Sequence, residues 1–444
     1  MSLSRPLPRI SIPIPRLSAI PSLSTNYTDS SGKVDQHEAL SPLWSGKASP
    51  GHVVKHTNAI TLILGGQHGN SEEPIYSNGD TVEGMLAISR SSGLLSVEIQ
   101  IEGFIKLREV AGGGNYKCEI VKETLYFWDA LHDSEIPSKI NFQYTLPSHY
   151  KDYKTGEKHR LPPSFSAHVQ GIPGYNLQIS YYVTVLLTRT RDKSDWWRKD
   201  RRFRLPFRYQ ERTRPLLPGP FPLTHTKSPQ APKTLFRYSL LSRKRGQLSI
   251  KVQLFLPWSR VFCLKQPIPF TLTFVGDDEA LEPFSAYHPT PSSFLSLYDS
   301  GSISQALQAQ IIARTAGPKP PPPIRVYVQR RVQVDARTAG MPIAEEKSHM
   351  LSIRCLAQGE IHNSSRGKKS MTWSGTITIP PTVCTGGFSA SGVKVTDSLV
   401  LSISTPEHAR SRYAPVVFSE TIPIRLTTET YDCPSATVTV EDWD

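Results

Sequence analysis

The 444-residue chain is short of several things that would assign it quickly to a class. It has only five cysteines (Cys118, Cys263, Cys355, Cys384 and Cys433), far apart and odd in number. None has a partner at the two- to four-residue spacing of a zinc knuckle. Sparse, unpaired cysteine fits a reducing compartment, where buried thiols act as small hydrophobes. No apolar run is longer than six residues, whereas a membrane-spanning helix needs about 20, so the chain is expected to be soluble. The opening MSLSRPLPRISIPIPRLSAIPSLS is broken by proline every few residues and lacks the continuous apolar core of a secretory signal. A cytoplasmic location is the expectation.

The devices of catalysis are missing too. There is no Gly-x-Ser-x-Gly elbow, no His-Glu-x-x-His, no phosphate loop ending in Gly-Lys-Ser/Thr and no Gly-x-Gly-x-x-Gly after a strand. The 13 histidines are scattered. His149, His159 and His168 fall within twenty residues, but in sequence that reads as proline-flanked loop, so no metal site is expected there. Neither a catalytic residue nor a cofactor is expected. The three glycines Gly112–Gly114 read as a hairpin loop.

Proline and positive charge are abundant. Thirty-eight prolines and five methionines argue against a helix-rich protein. The balance of 51 basic and 38 acidic side chains gives +13, concentrated in one place. Between Arg189 and Arg214 stand eleven Arg/Lys against four acids, a local excess of +7. The plainer reading is a solvated charged loop between strands. The functional one is a strip that attracts phosphate on lipid headgroups, nucleic acid or phosphorylated protein. Its candidate anion-binding residues are Arg198, Lys199, Arg201, Arg202 and Arg204. Trp196 and Trp197 are candidate interface aromatics, since indoles beside basic residues suit membrane and partner surfaces. Two adjacent tryptophans do not form the interleaved stacking row of a nucleic-acid platform, so no nucleic acid is expected as partner.

Residues 1–58 lack periodicity and read as a disordered tail. From Ala59 the period becomes two: Val97, Ile99 and Ile101 alternate with Glu98, Gln100 and Glu102. Further strand candidates are Ile60–Leu64, Val82–Ile88, Thr124–Trp128, Ile140–Leu146, Leu177–Thr188 and Arg202–Tyr209. A proline-rich joint over 215–235 follows. Then come Gln247–Leu256, Pro269–Phe274, Ile324–Val334, His349–Gln358, Met371–Ile379, Asp397–Ser404 and Thr421–Leu426. Seven short strands suffice for one β-sandwich, so the expected fold is all-β. Two tandem immunoglobulin-like sandwiches would occupy 59–214 and 236–430, with a short tail at 431–444. The halves share a plan: IRVYVQRRVQV, MTWSGTITIP and SLVLSI answer to the alternating strand at 97–102, INFQYTLP and YYVTVLL. Residues 276–323 read as a flexible insertion in the second half, with a short helix over Ser302–Arg314 and the run Pro320–Pro323 as a stiff spacer.

Three strings carry a family resemblance. DTVEGMLAI (Asp80–Ile88) runs on through LSVEIQIEG (Leu95–Gly103). FQYTLP and LPPSF fall within Phe142–Phe165 and are followed by YYVTVLLTR. GFSASGVKVTDSLVLSISTP (Gly387–Pro406) precedes PIRLTT (Pro423–Thr428). In order and spacing they resemble the arrestin family, in particular the fungal arrestin-like (alpha-arrestin) proteins, over most of 59–430. The resemblance implies an arrestin-like pair of sandwiches joined by a hinge. It implies a non-catalytic adaptor that binds membrane cargo or receptors, links them to ubiquitin-dependent endocytosis or sorting, and associates peripherally with plasma membrane or endosomes. A structural subunit of a retromer-like sorting coat is the first alternative, and a nucleic-acid-binding β protein using the basic strip is the lesser one. Alpha-arrestins commonly recruit a HECT-type ubiquitin ligase through Pro-Pro-x-Tyr; this chain has only the half match Glu73-Pro74-Ile75-Tyr76. By residue type, Asp397 and the arginines of 201–208 are candidates for a charged core between the halves.

Overall fold

Strands form wherever an apolar residue returns at every second position. The computed structural model describes residues 51–66, 73–110, 115–133, 135–153, 155–171, 174–190, 201–219, 233–240, 249–285, 287, 322–335, 349–405, 417–434 and 438–441. Among these are 25 strands and one helix. In the first half the strands are β1 (Val53–His56), β2 (Ile60–Leu64), β3 (Ile75–Tyr76), β4 (Thr81–Ile88), β5 (Leu94–Glu109), β6 (Asn115–Asp129), β7 (Lys139–Thr145), β8 (His149–Lys151), β9 (Lys158–Arg160), β10 (Phe165–Val169), β11 (Tyr175–Arg189) and β12 (Arg201–Tyr209). The joint carries β13 (Thr213–Pro215). The second half holds β14 (Lys233–Leu240), β15 (Ile250–Pro257), β16 (Val261–Cys263), β17 (Ile268–Val275), α1 (Asp278–Ser285), β18 (Ile324–Asp335), β19 (His349–Gln358), β20 (Glu360–Arg366), β21 (Ser370–Ile377), β22 (Phe388–Ala390), β23 (Val393–Ser404), β24 (Val417–Thr427) and β25 (Thr439–Glu441).

The fold is all-β, and its two halves repeat one topology. The first half packs a sheet of order β1-β2-β4-β7 against one of order β3-β12-β11-β5-β6, with β10 pairing β11 off the path. The second packs β14-β15-β17-β21-β20 against β16-β24-β23-β18-β19, with β22 pairing β23 off the path. Even the parallel contacts match: β3 runs parallel to β12, and β16 to β24. Each pair of sheets encloses a core. Ile60, Leu62 and Val82 of one sheet meet Val97, Ile99 and Val183 of the other. Val252, Leu254 and Phe270 meet Val326, Leu399 and Ile424 in the second half.

Several segments depart from the sequence pattern. Val53–His56, expected within the disordered tail of 1–58, form β1 and pair with β2, whose ladder reaches back past Ala59. The strand beginning LSVEIQIEG does not stop at Gly103 but continues to Glu109, and its partner β6 runs back from Asn115 to Asp129. Gly103 is a close approach in that strand, because a Cβ there would sit 2.8 Å from the Tyr181 ring. The start of 276–323 is also ordered into the core: α1 places Leu281 and Phe284 in the second cluster, with the Phe284 ring edge-on to Phe274 at 5.0 Å. The helix expected at Ser302–Arg314 and the run Pro320–Pro323 lie outside the described residues, apart from Pro322 and Pro323. So do most of the 1–58 tail and most of the 215–235 joint.

The halves belong to one compact unit spanning Ala48–Asp444. Val332, Val334 and Met350 from β18 and β19, with Ala390, Val393 and Val395, are buried in the first half's core. Polar contacts line the same seam. The Tyr116 hydroxyl lies 3.2 Å from Ser391 Oγ, the Ser391 amide donates to the Tyr150 hydroxyl at 2.8 Å, and Ser391 Oγ donates to buried Asp152. No helix among the described residues is long and apolar enough to cross a membrane.

Candidate functional site

The chemistry gathers where the halves meet. Along β18 a single face carries Ile324, Val326 and Val328 into the second core and Val332 and Val334 into the first. Arg330 lies between them on that same face, 6% exposed. The neighbouring strand β23 does likewise, with Val393 and Val395 on one side of Asp397 and Leu399, Leu401 and Ile403 on the other. The ladder register sets Arg330 opposite Asp397. Arg330 Nε donates to Asp397 Oδ1 at 2.7 Å and Nη2 to Oδ2 at 3.0 Å, while Nη2 also reaches the Thr385 carbonyl at 2.7 Å. This bidentate pair marks the boundary between two hydrophobic cores, and planar guanidinium suits it as ammonium would not.

A second charged group closes the joint. Strand β25 runs parallel to β13, and the Glu441 carboxylate bridges Arg160 of β9, at 2.8 Å, and Arg425 of β24. Glu211 lies beside Arg160 at 3.8 Å. These four side chains line a cavity of about 300 Å³ together with Lys158 and His159. Burial pushes the Glu211 carboxyl up to about 7; Arg160 and Arg425 oppose the shift and Glu441 reinforces it.

The larger opening is a groove of about 730 Å³ with walls from both halves. On one side are β10, the middle of β11 and the end of β12; on the other are Arg330 and Val332 of β18, Ser352, Arg354 and Leu356 of β19, and 382–385. The groove opens where β11 exchanges one neighbour for another: β10 pairs with it up to Ile179 and β12 from Tyr181. Ser180, between them, has a buried hydroxyl that makes no hydrogen bond among the described residues.

The basic strip is organised differently from a free patch. Trp196, Trp197, Arg198 and Lys199 lie outside the described residues. Arg201 begins β12, exposed. Arg202 and Arg204, on the outer face of their sheet, converge on Glu102 of β5, with Nη2–Oε distances of 2.5 Å and 3.2 Å. Thr184 of β11 donates to the same carboxylate. Burial alone would raise the Glu102 pKa; the hydrogen bonds from Thr184 and Arg202 and the charges of Arg202 and Arg204 outweigh it and hold the carboxyl below its ordinary value. Arg204 also lies over the rings of Phe104 and Tyr182, at 5.9 and 5.3 Å. Two of the five candidate anion ligands are thus committed to an internal carboxylate.

Asp397 does belong to a charged core, but its partner is Arg330, not the arginines of 201–208. The histidines expected in loops stand in strands, His149 in β8, His159 in β9 and His168 in β10. Among the described residues, no three His, Cys, Asp or Glu side chains gather as metal ligands would. No disulfide joins the five cysteines; Cys118 and Cys263 are buried and Cys355 is exposed. Sequence reasoning missed Arg330, Glu211 and Glu441. For Arg330 a signal existed, since it occupies an apolar-parity position of IRVYVQRRVQV. The chain matches no known protein-family model and no curated protein.

Proposed function

We propose that this chain is a non-catalytic adaptor of arrestin type, acting in the cytoplasm on membrane cargo or receptors and linking them to ubiquitin-dependent endocytosis or sorting. The observation that carries this reading is the groove walled by both sandwiches, placed over the seam where the two cores meet. Fixed strands, buried ion pairs and a shared opening suit recognition of another chain, with specificity set by shape and charge at the opening. A HECT-type ligase and an anionic membrane surface are the further partners in this reading. Arg201, with Arg198 and Lys199, is the part of the strip assigned to lipid phosphate, because Glu102 holds Arg202 and Arg204.

In source cells lacking the chain, internalisation of at least one class of plasma-membrane transporter or receptor slows, and re-expression restores it. Unchanged turnover of the whole surface proteome would remove the adaptor reading.

A further inference from the structure

The groove has features that specify its occupant more closely. Strand β10 pairs with β11 on one side and, among the described residues, with no strand on the other. Four of its residues in succession, Phe165 to His168, line the groove, so the opening runs along a strand edge and not merely over one face. A bare edge presents backbone N–H and C=O groups that a further extended segment can satisfy. Beyond that edge stand two arginines. Arg354 of β19 is exposed and forms no ion pair among the described residues. Among the described residues the Arg208 side chain of β12 is held only by a surface pair with Glu73 at 3.3 Å, both partners well exposed, and such pairs are worth little. Half-buried Leu356 and Val383 supply an apolar stretch of the same wall.

We propose that this groove is a peptide-binding site that takes an extended acidic segment of a partner protein as an added strand on β10, with its carboxylates met by Arg354 and Arg208 and the Ser180 hydroxyl as a further polar partner. The backbone pairing supplies strand-to-strand hydrogen bonds over about five residues, the length of β10. The arginines select acidic side chains, and an incoming carboxylate replaces Glu73 at Arg208. This inference rests on the adaptor reading and gives its cargo contact a place and a chemistry.

The test is selection of a phage-displayed random peptide library on the immobilised full-length chain, followed by affinity measurement of the enriched peptides as synthetic, fluorescein-labelled probes. The enriched set is expected to be rich in Asp and Glu. Arg354→Glu should weaken binding about tenfold or more and Arg354→Lys should retain most of it. Bound peptide should slow amide exchange at 166–169. Because Arg354 is exposed, its substitution leaves the fold intact, which the melting temperature verifies. No enrichment, enrichment without acidic bias, or affinity indifferent to Arg354→Glu would each overturn the proposal. In cells the two readings separate: if Arg354→Glu restores transporter internalisation as well as the native chain does, the groove is not the cargo site but the adaptor role stands. If the native chain itself restores nothing, the adaptor role falls.

Discussion

At the scale of single residues, the seam is governed by charges placed on apolar faces. Arg330 and Asp397 occupy in-phase positions of two adjacent strands, so each is buried by the pattern that buries its neighbours. Removing one partner leaves the other uncompensated, which typically costs about 3–5 kcal/mol. Asp397→Ala should therefore lower the unfolding free energy by that amount in chemical denaturation. The double replacement Arg330→Met with Asp397→Leu should recover most of it. Glu211 gives a pH dependence. Its folded pKa, about 7, stands above the ordinary 4.5 because of burial, so the folded state holds the proton more tightly. Its contribution to stability is complete below about pH 4.5 and is lost as pH rises through 7. Glu211→Gln should flatten the stability profile between pH 5 and 8 and leave the variant the more stable at pH 8; an unchanged slope would show that Glu211 titrates normally. Of these residues only Asp397 was legible by type. Arg330 was legible by parity, while Glu102 sits at a polar-parity position and gives no sign that it is buried.

At the scale of elements, legibility followed amphipathicity. Ile60–Leu64 and His349–Gln358 stand where their alternation put them. Strand β20, EIHNSSR, is polar apart from Ile361 and exists because β21 offers it a ladder. The helix α1, DEALEPFS, contains Pro283, which reads as a breaker; burial of Leu281 and Phe284 offsets the local cost. Short strands such as β9, β13 and β25 are set by their partners and not by their own sequence. The β25 strand matters most, because it fastens the joint: Thr439 donates to the Arg212 carbonyl, Leu216 to that of Glu441, and Val438 is buried. Deleting 438–444 should cost about 2 kcal/mol, the worth of one buried valine, and should speed amide exchange at Leu216, whose N–H loses the Glu441 carbonyl. Unaltered protection there would show that the joint stands without its clasp.

At the scale of the molecule, the duplicated strand order makes two similar bodies, and the shared core makes them one. The weak repeat visible in the sequence corresponds to real topology: the 97–102 region, INFQYTLP and YYVTVLL lie in β5, β7 and β11, and their counterparts in β18, β21 and β23. What the sequence could not show is the seam, because contacts such as Tyr116 with Ser391 join residues 275 apart and leave no local pattern. The groove over that seam is where the adaptor account is most exposed to test. Proximity labelling in the source cells, with the full-length chain as bait, measures it most directly. The account predicts enrichment of plasma-membrane transporters or receptors together with endocytic factors and a HECT-type ligase. Recovery of only RNA- or DNA-associated proteins would contradict it.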